Sequence, residues 1–288
     1  MDNSAPPRVW LITGANSGFG SCFVDYLLDK GEYVAAAVRR LDSLDALSDH
    51  PRLLKIHLDL QVPSSIGLAV QLVLEHWGRI DVLVNNAGYG LAGALEELSE
   101  QQVRDQIETN FIGLVCLTQA VLPAMRQQAT GYLVNVASIA GLRGFRGMSL
   151  YCASKFAVVG LSEALAQELS PFGIRVSVVE PGPYRTDWAG RSLVRSESME
   201  TDSESSSYAS LNKSIKQMME QVSGNQPGDP NQLIEAVWRA SHNTNPPLHM
   251  VFGDEAIQYW IEKLERYRSL PFMGLYPHGQ TDATTLDR

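Results

Sequence analysis

The chain has 288 residues, of which 44% are hydrophobic and 19% charged, as in an ordinary soluble globular protein. Its net charge of -9 argues against nucleic-acid binding, which needs clustered lysine and arginine. The three cysteines form no metal-ligand pattern, so we expect no metal site. The N-terminus has no signal-peptide features, and no apolar run has the length of a membrane span. We therefore expect a cytoplasmic chain without a membrane contact.

Short apolar runs alternate with segments of helical periodicity through the first two thirds of the chain. Strands that alternate with helices form right-handed crossovers, which produce a parallel sheet covered on both faces. The predicted fold class is therefore α/β, a doubly wound parallel sheet with helices on both faces. The predicted elements are a strand at 9–13, a helix at 20–30, strands at 33–38 and 53–58, a helix at 66–77, a strand at 80–84, a helix at 100–126, a strand at 132–137, a helix at 149–169 and a strand at 174–179.

The regular alternation ends after Thr186. Residues 191–210 are rich in Ser, Glu, Asp and Arg, which predicts a mobile loop or an insert outside the core. Two helices, at 211–222 and 230–242, a strand at 248–252 and a helix at 256–267 follow, and the tail after Pro271 should be poorly ordered at its end. Without a repeat or a dividing linker, we predict a single domain over 1–288, with a core at about 7–187, a substrate segment at about 184–225 and a C-terminal remainder at about 226–288.

A glycine-rich turn, Thr13-Gly-Ala-Asn-Ser-Gly-Phe-Gly20, lies between the first strand and the first helix. Small residues allow the backbone to turn sharply and approach a ligand, and the N-terminus of the next helix attracts a pyrophosphate. A plain tight turn is the alternative. The predicted phosphate contacts are Gly14, Asn16, Ser17, Gly18, Phe19 and Gly20.

Tyr151 and Lys155 stand four residues apart, and Ser138 lies thirteen residues before Tyr151. Residues at i and i+4 share one face of a helix, about one turn apart. We expect the lysine cation to lower the pKa of the phenol, because a nearby positive charge favours the phenolate. Such a tyrosine could act as a general acid or base near neutral pH.

Together these features resemble the short-chain dehydrogenase/reductase (SDR) family. The glycine spacing Gly-x-x-x-Gly-x-Gly differs from the commoner Gly-x-Gly-x-x-Gly of dinucleotide-binding proteins. The resemblance covers about residues 7–187 in motif, extends to about 270 in fold, and implies a Rossmann-like fold with a nicotinamide dinucleotide as cofactor. The motifs, in chain order, are Thr13 to Gly20, Asn85-Asn-Ala-Gly88, Asn110, Ser138, Tyr151-x-x-x-Lys155 and Pro181-Gly182.

The resemblance also implies which form of the cofactor binds. An acidic residue near the end of the second strand would favour NAD, but the corresponding residue is Val38, followed by Arg39 and Arg40. Guanidinium groups suit a phosphate, so we predict NADP(H), although one or both arginines could simply face water. Further dinucleotide contacts are implied for Asp59, Leu60, Asn86, Ala87, Gly88, Tyr151, Lys155, Pro181, Gly182, Tyr184 and Thr186, with Asp59 otherwise an ordinary strand-end carboxylate.

By the same resemblance, Tyr151 protonates a carbonyl oxygen while hydride arrives, Lys155 tunes that tyrosine and binds the nicotinamide ribose, and Ser138 positions the carbonyl. Asn110 holds a water in a proton relay from Lys155. Each residue also has a structural alternative: Ser138 as a cap, Asn110 as a buried brace, Lys155 as a solvated charge and Tyr151 as a packed aromatic.

The expected substrate is a hydrophobic ketone or secondary alcohol. The expected direction is reduction, because cellular NADP(H) pools favour it. Trp188, Leu193, Met218 and Met219 could line an apolar pocket, or could equally be core or loop cover. The alternatives on the same scaffold are a non-redox, dinucleotide-binding sensor and an isomerase or cyclase.

Assembly is the last expectation. The helices at about 100–126 and 149–169 match those through which the family forms dimers or tetramers, which implies a homodimer or homotetramer. Their apolar residues would also suit a monomer's own core; they are Leu114, Val115, Leu117, Leu122, Val158, Val159, Leu161 and Leu165.

Overall fold

The computed structural model describes residues 6–186, 188, 190 and 192–269, so the predicted disorder at the end of the tail lies outside the described residues. The strands predicted before residue 180 all form, with ends that agree to within about two residues. The strands are β1 (Val9–Thr13), β2 (Tyr33–Val38), β3 (Leu53–His57), β4 (Val82–Asn85), β5 (Gly90–Ala92), β6 (Gly131–Val136), β7 (Ile174–Pro181), β8 (Leu193–Arg195) and β9 (His249–Phe252).

Seven of these strands form one parallel sheet in the order β3-β2-β1-β4-β6-β7-β9. The chain runs outward from β1 to β3 and then returns to pair β4 with the other side of β1. Ligands of doubly wound sheets bind where the strand order reverses, at the carboxyl ends of the strands. The topology therefore places the predicted cofactor site at the ends of β1 and β4. The short strands β5 and β8, which the sequence did not predict, pair with each other above this edge.

The helices cover both faces of the sheet. The predicted helix at 100–126 is correct in extent, but a π-helical turn at Glu108–Ile112 divides it into two. The helices are α1 (Gly18–Asp29), α2 (Pro63–Trp77), α3 (Glu100–Ile107), α4 (Gly113–Gln128), α5 (Ser149–Leu169), α6 (Glu197–Glu200), α7 (Ala209–Val222), α8 (Pro230–Ser241) and α9 (Asp254–Ser269).

Two large apolar clusters form the core, one on each face of the sheet. Along β1, Trp10 and Ile12 belong to the cluster beneath α1 and α8, whereas Val9 and Leu11 belong to the cluster beneath α2 and α4. Successive strand residues point to opposite faces, so a strand that is buried on both faces is apolar at every position. This explains why the continuous apolar run of β1 predicts a buried strand.

One helical segment, Glu100–Gln128, has the length and hydropathy of a membrane span, contrary to the sequence expectation that no such run exists. The core helix of a globular protein passes the same test. Leu117, Val121 and Met125 of this segment are fully buried in the cluster on the α2 side of the sheet. Burial against the protein's own sheet accounts for the apolar character of this face.

The expectation of a mobile loop or insert outside the core at 191–210 is wrong for part of that segment. Leu193 of β8 and Met199 of α6 are buried in an apolar cluster. The hydroxyl of Ser196 accepts a hydrogen bond from the Met199 N–H and so caps α6. Glu97 accepts hydrogen bonds from Ser206 and from Asn212 of α7. Polar composition suggested a loop, but these polar groups bond to one another across the fold.

Candidate active site

The glycine-rich turn adopts a backbone that favours glycine at two positions. Gly14 has φ 65° and Gly18 has φ 53°, both in the left-handed region. A Cβ atom at Gly20 would lie 2.1 Å from the carbonyl oxygen of Gly14, so α1 can pack this closely against the turn only with glycine there. Ser17 is the N-cap residue of α1 and Phe19 lies in its first turn. The turn thus ends at a helix N-terminus, as predicted.

The predicted segment at 86–88 is tied to this turn by hydrogen bonds. The Thr13 hydroxyl oxygen accepts from the backbone N–H groups of Asn86 and Ala87 at 3.0 and 2.9 Å. The Asn86 side-chain amide donates to the Thr13 carbonyl at 2.8 Å. These bonds hold the ends of β1 and β4 together. They give Asn86 the bracing function that the resemblance implied beside its binding function.

A cavity of about 330 Å³ opens beside these strand ends. Eight residues predicted to bind the cofactor line it: Gly14, Asn16, Arg39, Arg40, Asp59, Leu60, Ala87 and Gly88. Its volume lies within the range of small-molecule sites, and its walls combine glycine backbone, arginine and carboxylate groups that suit a nucleotide. The remaining lining residues were not predicted as contacts; they are Thr13, Ala37, Val38, Ser43, Leu58, Gln61, Tyr89 and Thr109.

Some of these missed residues carry a sequence signal. Tyr89 directly follows Gly88, and Gln61 lies four residues beyond the end of β3, so both are near the carboxyl end of a parallel strand, where ligands bind. Ser43 donates a hydrogen bond to the Arg40 carbonyl and shapes the loop after β2. Thr109 reaches the cavity from the π-helical turn, which nothing in the sequence indicates.

Two arginines line the cavity at the loop that follows β2. Arg39 and Arg40 follow β2 directly and are exposed, and Arg40 lies 3.8 Å from the exposed carboxylate of Asp42. Burial raises the pKa of Tyr89 to about 12, and the Arg39 guanidinium acts in the opposite direction because it lies close to this phenol. β2 ends at Val38, so the residue that would bind the ribose 2′-hydroxyl in an NAD-specific site is not acidic here.

The residues of the predicted reacting end come together at the end of β6. Tyr151 and Lys155 lie one turn apart on α5, and the Lys155 Nζ atom is 5.8 Å from the centre of the Tyr151 ring. Ser138 lies two residues beyond β6, where its hydroxyl acts to lower the pKa of Tyr151 and accepts a hydrogen bond from the Ala140 N–H at 3.1 Å. Its predicted site position and the alternative function as a cap are therefore both present.

The predicted effect of Lys155 on Tyr151 is not found in the structure. Burial raises the pKa of Tyr151 to about 12, and the bond to Ser138 opposes this only partly. Burial also lowers the pKa of Lys155 to about 8. The Lys155 ammonium donates to the Val136 carbonyl at 2.8 Å rather than to the phenol. The spacing was correct, but burial dominates the pKa of both side chains, and Lys155 is not among the groups that shift the pKa of Tyr151.

Asn110 is buried within the π-helical turn. Its side-chain oxygen accepts from the Tyr89 N–H at 3.0 Å, and its amide donates to the Tyr89 carbonyl at 2.9 Å and to Ser154 at 3.2 Å. A Cβ atom at Gly88 would lie 3.1 Å from the Asn110 oxygen and 3.7 Å from the Lys155 Nζ atom. Asn110 is thus a buried brace that lies close to Lys155, and its water relay stays a prediction.

The segment from Pro181 to Thr186 borders the glycine-rich turn. A Cβ atom at Gly18 would lie 3.5 Å from the Cβ atom of Thr186, so these two residues are neighbours. The Tyr184 ring is buried and packs on Phe19 with ring centres 5.5 Å apart. The Gly182 N–H donates to the backbone of β9 at 2.9 Å. Tyr184 therefore supports the turn through packing, and Thr186 borders the turn at Gly18; its ligand contact stays a prediction.

Tyr151 belongs to an apolar cluster with residues of β5, β8, α6 and α7. Three of the four residues predicted to line an apolar pocket belong to this Tyr151 cluster: Trp188, Leu193 and Met219. Met218 does not, because its side chain is 47% exposed on the outer face of α7. The prediction for Met218 was wrong because consecutive helical residues point in different directions.

In the part of the chain that the structure describes, no three His, Cys, Asp or Glu side chains form a group that could hold a metal ion. Cys22, Cys116 and Cys152 are free thiols.

The family model described as short chain dehydrogenase matches residues 8–195. The chain therefore belongs to the short-chain dehydrogenase/reductase family. A 3-ketodihydrosphingosine reductase from Bacteroides thetaiotaomicron is 35% identical over 86% of this chain and 88% of its own length. A short-chain dehydrogenase structure from Streptomyces avermitilis is 38% identical, with a TM-score of 0.82 over 91% of this chain and 94% of that chain.

Structures of this fold have been solved with either form of the cofactor. A short-chain dehydrogenase/reductase from Burkholderia phymatum in complex with NAD is 23% identical, with a TM-score of 0.77 over 91% of this chain and 95% of that chain. A short-chain dehydrogenase from Sphingobium yanoikuyae in complex with NADPH is 25% identical, with a TM-score of 0.69 over 94% and 99% of the two chains. The fold thus accommodates a nicotinamide dinucleotide in both forms.

Proposed function

We propose that this protein is an NADP(H)-dependent oxidoreductase that interconverts a ketone and a secondary alcohol on a hydrophobic small molecule, in the direction of reduction. The observation that carries the proposal is the placement of Ser138, Tyr151 and Lys155 together at the end of β6, beside the strand ends that border the nucleotide cavity. The Bacteroides thetaiotaomicron relative, named as a reductase of a 3-keto compound, supports the direction.

The side chains provide a proton and hold the substrate. The bound nicotinamide would supply the hydride. The Ser138 hydroxyl would bind the substrate oxygen and orient the carbonyl. Tyr151 would give its proton to the same oxygen, and a phenol with a pKa of about 12 keeps this proton available at neutral pH. The Lys155 ammonium, one helical turn away, would stabilise the phenolate that remains.

The preference for NADP(H) rests on the charges of the cavity. Arg39 and Arg40 line it, and β2 ends at Val38 rather than at an acidic residue. A 2′-phosphate would gain charge-assisted hydrogen bonds from the two guanidinium groups. Asp59 lines the same cavity after β3, which supports a contact with the adenine side of the cofactor.

We also propose that the chain forms a homodimer or homotetramer through the helices at about 100–126 and 149–169, which are α3, α4 and α5. Most of the apolar residues predicted for this surface are buried in the chain's own core, as Leu117 and Val158 are. Ile112, directly before α4, and Phe156 of α5 are 37% and 39% exposed. These two side chains support burial against a second copy. Light scattering of the purified protein distinguishes a monomer from a dimer or tetramer.

Two other functions would use the same scaffold. A dinucleotide-binding sensor would bind NADPH without turnover, and an isomerase or cyclase would convert its substrate without net consumption of NADPH. The retained Tyr151 and Lys155 favour the oxidoreductase over the sensor, because a sensor has no need of a proton donor.

A panel of apolar ketones, assayed with NADPH and with NADH, tests the proposal. We expect NADPH to be oxidised in the presence of at least one ketone, much faster than NADH, and we expect Tyr151→Phe to remove this activity. If Tyr151→Phe oxidises NADPH with a ketone at the wild-type rate, Tyr151 is not the acid. Tight binding of NADH but not of NADPH would reject the assignment of Arg39 and Arg40 to the 2′-phosphate.

A further inference from the structure

The proposed acid is covered by an aromatic side chain. The ring of Tyr151 is only 7% exposed, and the Trp188 indole lies on it with ring centres 5.3 Å apart and an interplanar angle of 47°. A phenol must touch the substrate oxygen to deliver a proton. Trp188 is itself partly exposed, at the solvent side of the Tyr151 cluster. The indole is therefore the covering group that can leave toward solvent.

A glycine in β5 makes room for this indole. A Cβ atom at Gly90 would lie 2.6 Å from the Cζ2 atom of Trp188 and 2.8 Å from a methyl carbon of Leu193. The backbone at Gly90 thus forms one wall of the space that the indole fills, and Tyr151 forms another. Leu193 closes the same space from β8, which pairs with β5 at this point.

The other members of the Tyr151 cluster are apolar and come from separate elements. Met148 precedes α5, Met199 lies in α6, and Ile215 and Met219 lie in α7. Methionine side chains adapt their shape to an apolar ligand. A molecule that replaced the indole would contact the Tyr151 ring and enter this apolar cluster.

From this geometry, and given the proposed function, we propose that Trp188 determines substrate specificity by occupying the place of the substrate's apolar part beside Tyr151. The substrate class is then a ketone, or the matching alcohol, whose apolar part is an aromatic or alicyclic group at least as large as an indole. Such a group displaces the indole and takes over its contacts. A small aliphatic ketone replaces few of those contacts and leaves the indole in place.

A spectroscopic measurement tests the displacement without turnover. The chain has five tryptophans, so incorporation of 5-fluorotryptophan gives five fluorine resonances, and Trp188→Phe identifies one of them. Trp77→Phe identifies a control resonance from α2, where Trp77 packs on Tyr33. With NADP+ bound, 2-acetylnaphthalene should shift the Trp188 resonance, acetone should not, and the Trp77 resonance should stay constant.

A kinetic measurement tests the consequence. If binding of a large ketone must displace the indole, the Trp188→Ala change should raise kcat/KM for 2-acetylnaphthalene relative to acetone by about tenfold, the size of a lost aromatic contact. Gly90→Ala, which pushes the indole from its place, should act in the same direction. Trp77→Ala should leave the ratio unchanged.

Failure of this proposal is distinguishable from failure of the proposed function. If the wild-type enzyme reduces 2-acetylnaphthalene but the Trp188 resonance stays constant and neither variant changes the ratio, the specificity proposal is wrong and the proposed function survives. If no ketone of the panel is reduced and none shifts the Trp188 resonance, both are wrong. A shift of the resonance without reduction would support the displacement and reject the reductase.

Discussion

Raising the pH should remove the charge of Lys155 before it changes the protonation of Tyr151. Burial lowers the pKa of Lys155 to about 8 and raises the pKa of Tyr151 to about 12. Between these values the lysine is neutral while the tyrosine still holds its proton. Carbonyl reduction leaves a phenolate that the ammonium stabilises, so we expect the reductase rate to fall as the pH passes 8.

The size of the fall follows from the pKa of Lys155. A group with a pKa of about 8 is cationic in about nine molecules of ten at pH 7 and in about one of ten at pH 9. If only the cationic form is competent, kcat/KM for the ketone should decrease about tenfold over this range. Ionisation of Tyr151 contributes little there because its pKa is far higher.

The assay is the initial rate of NADPH oxidation at several ketone concentrations, with NADPH saturating, from pH 6 to 10. The matched variant is Lys155→Arg, whose guanidinium keeps its charge throughout this range. It should be slower because of its size but should lose the inflection near pH 8. A wild-type profile that is flat to pH 9.5, or an inflection that persists in Lys155→Arg, would refute the assignment of this ionisation to Lys155.

Three further predictions concern binding and folding. Arg39→Ala should weaken NADPH binding by about ten- to a hundredfold, through loss of a charged hydrogen bond, and leave NADH binding unchanged in a fluorescence titration; equal weakening of both would contradict the 2′-phosphate assignment. Gly20→Ala should lower the free energy of unfolding by about 1–3 kcal/mol, because its Cβ meets a backbone oxygen at 2.1 Å. In its control, Gly67→Ala within α2, the new Cβ meets open space, so the free energy of unfolding should rise by about 0.5–1 kcal/mol. Similar urea midpoints for the two variants would argue against the close contact at Gly20. Met199→Ala should lower the free energy of unfolding by about 2–5 kcal/mol because the side chain is fully buried. Met218 is exposed, so Met218→Ala should change the free energy of unfolding by no more than about 0.5 kcal/mol. Equal changes for the two variants would mean that Met199 is not part of the core.

Much of the fold was readable from local patterns. The strand at 9–13 and the helix at 149–169 have the predicted bounds. The strand is apolar at nearly every position and the helix is long, so the local sequence alone determines each of them. The same helix fixes Tyr151 and Lys155 on one face, so their association needed no knowledge of the rest of the chain.

The features that were missed depend on contacts between distant residues. Met199 is buried because α6 folds against α7 and the start of α5, and its polar neighbours gave no sign of this. The raised pKa of Tyr151 and the lowered pKa of Lys155 come from burial, which spacing does not express. Tyr89 enters the cofactor cavity because Asn110 holds its backbone from the π-helical turn.

The most direct test of the central claim compares hydride transfer with cofactor binding in Tyr151→Phe. The phenylalanine ring keeps the packing of the tyrosine on Trp188 and lacks only the hydroxyl that carries the proton. We predict that Tyr151→Phe still binds NADPH, with a dissociation constant raised by at most about tenfold, the worth of one hydrogen bond. The single-turnover rate of NADPH oxidation by a ketone substrate falls by about a hundred- to ten-thousandfold. A variant that binds NADPH normally and transfers hydride at the wild-type rate would contradict the account.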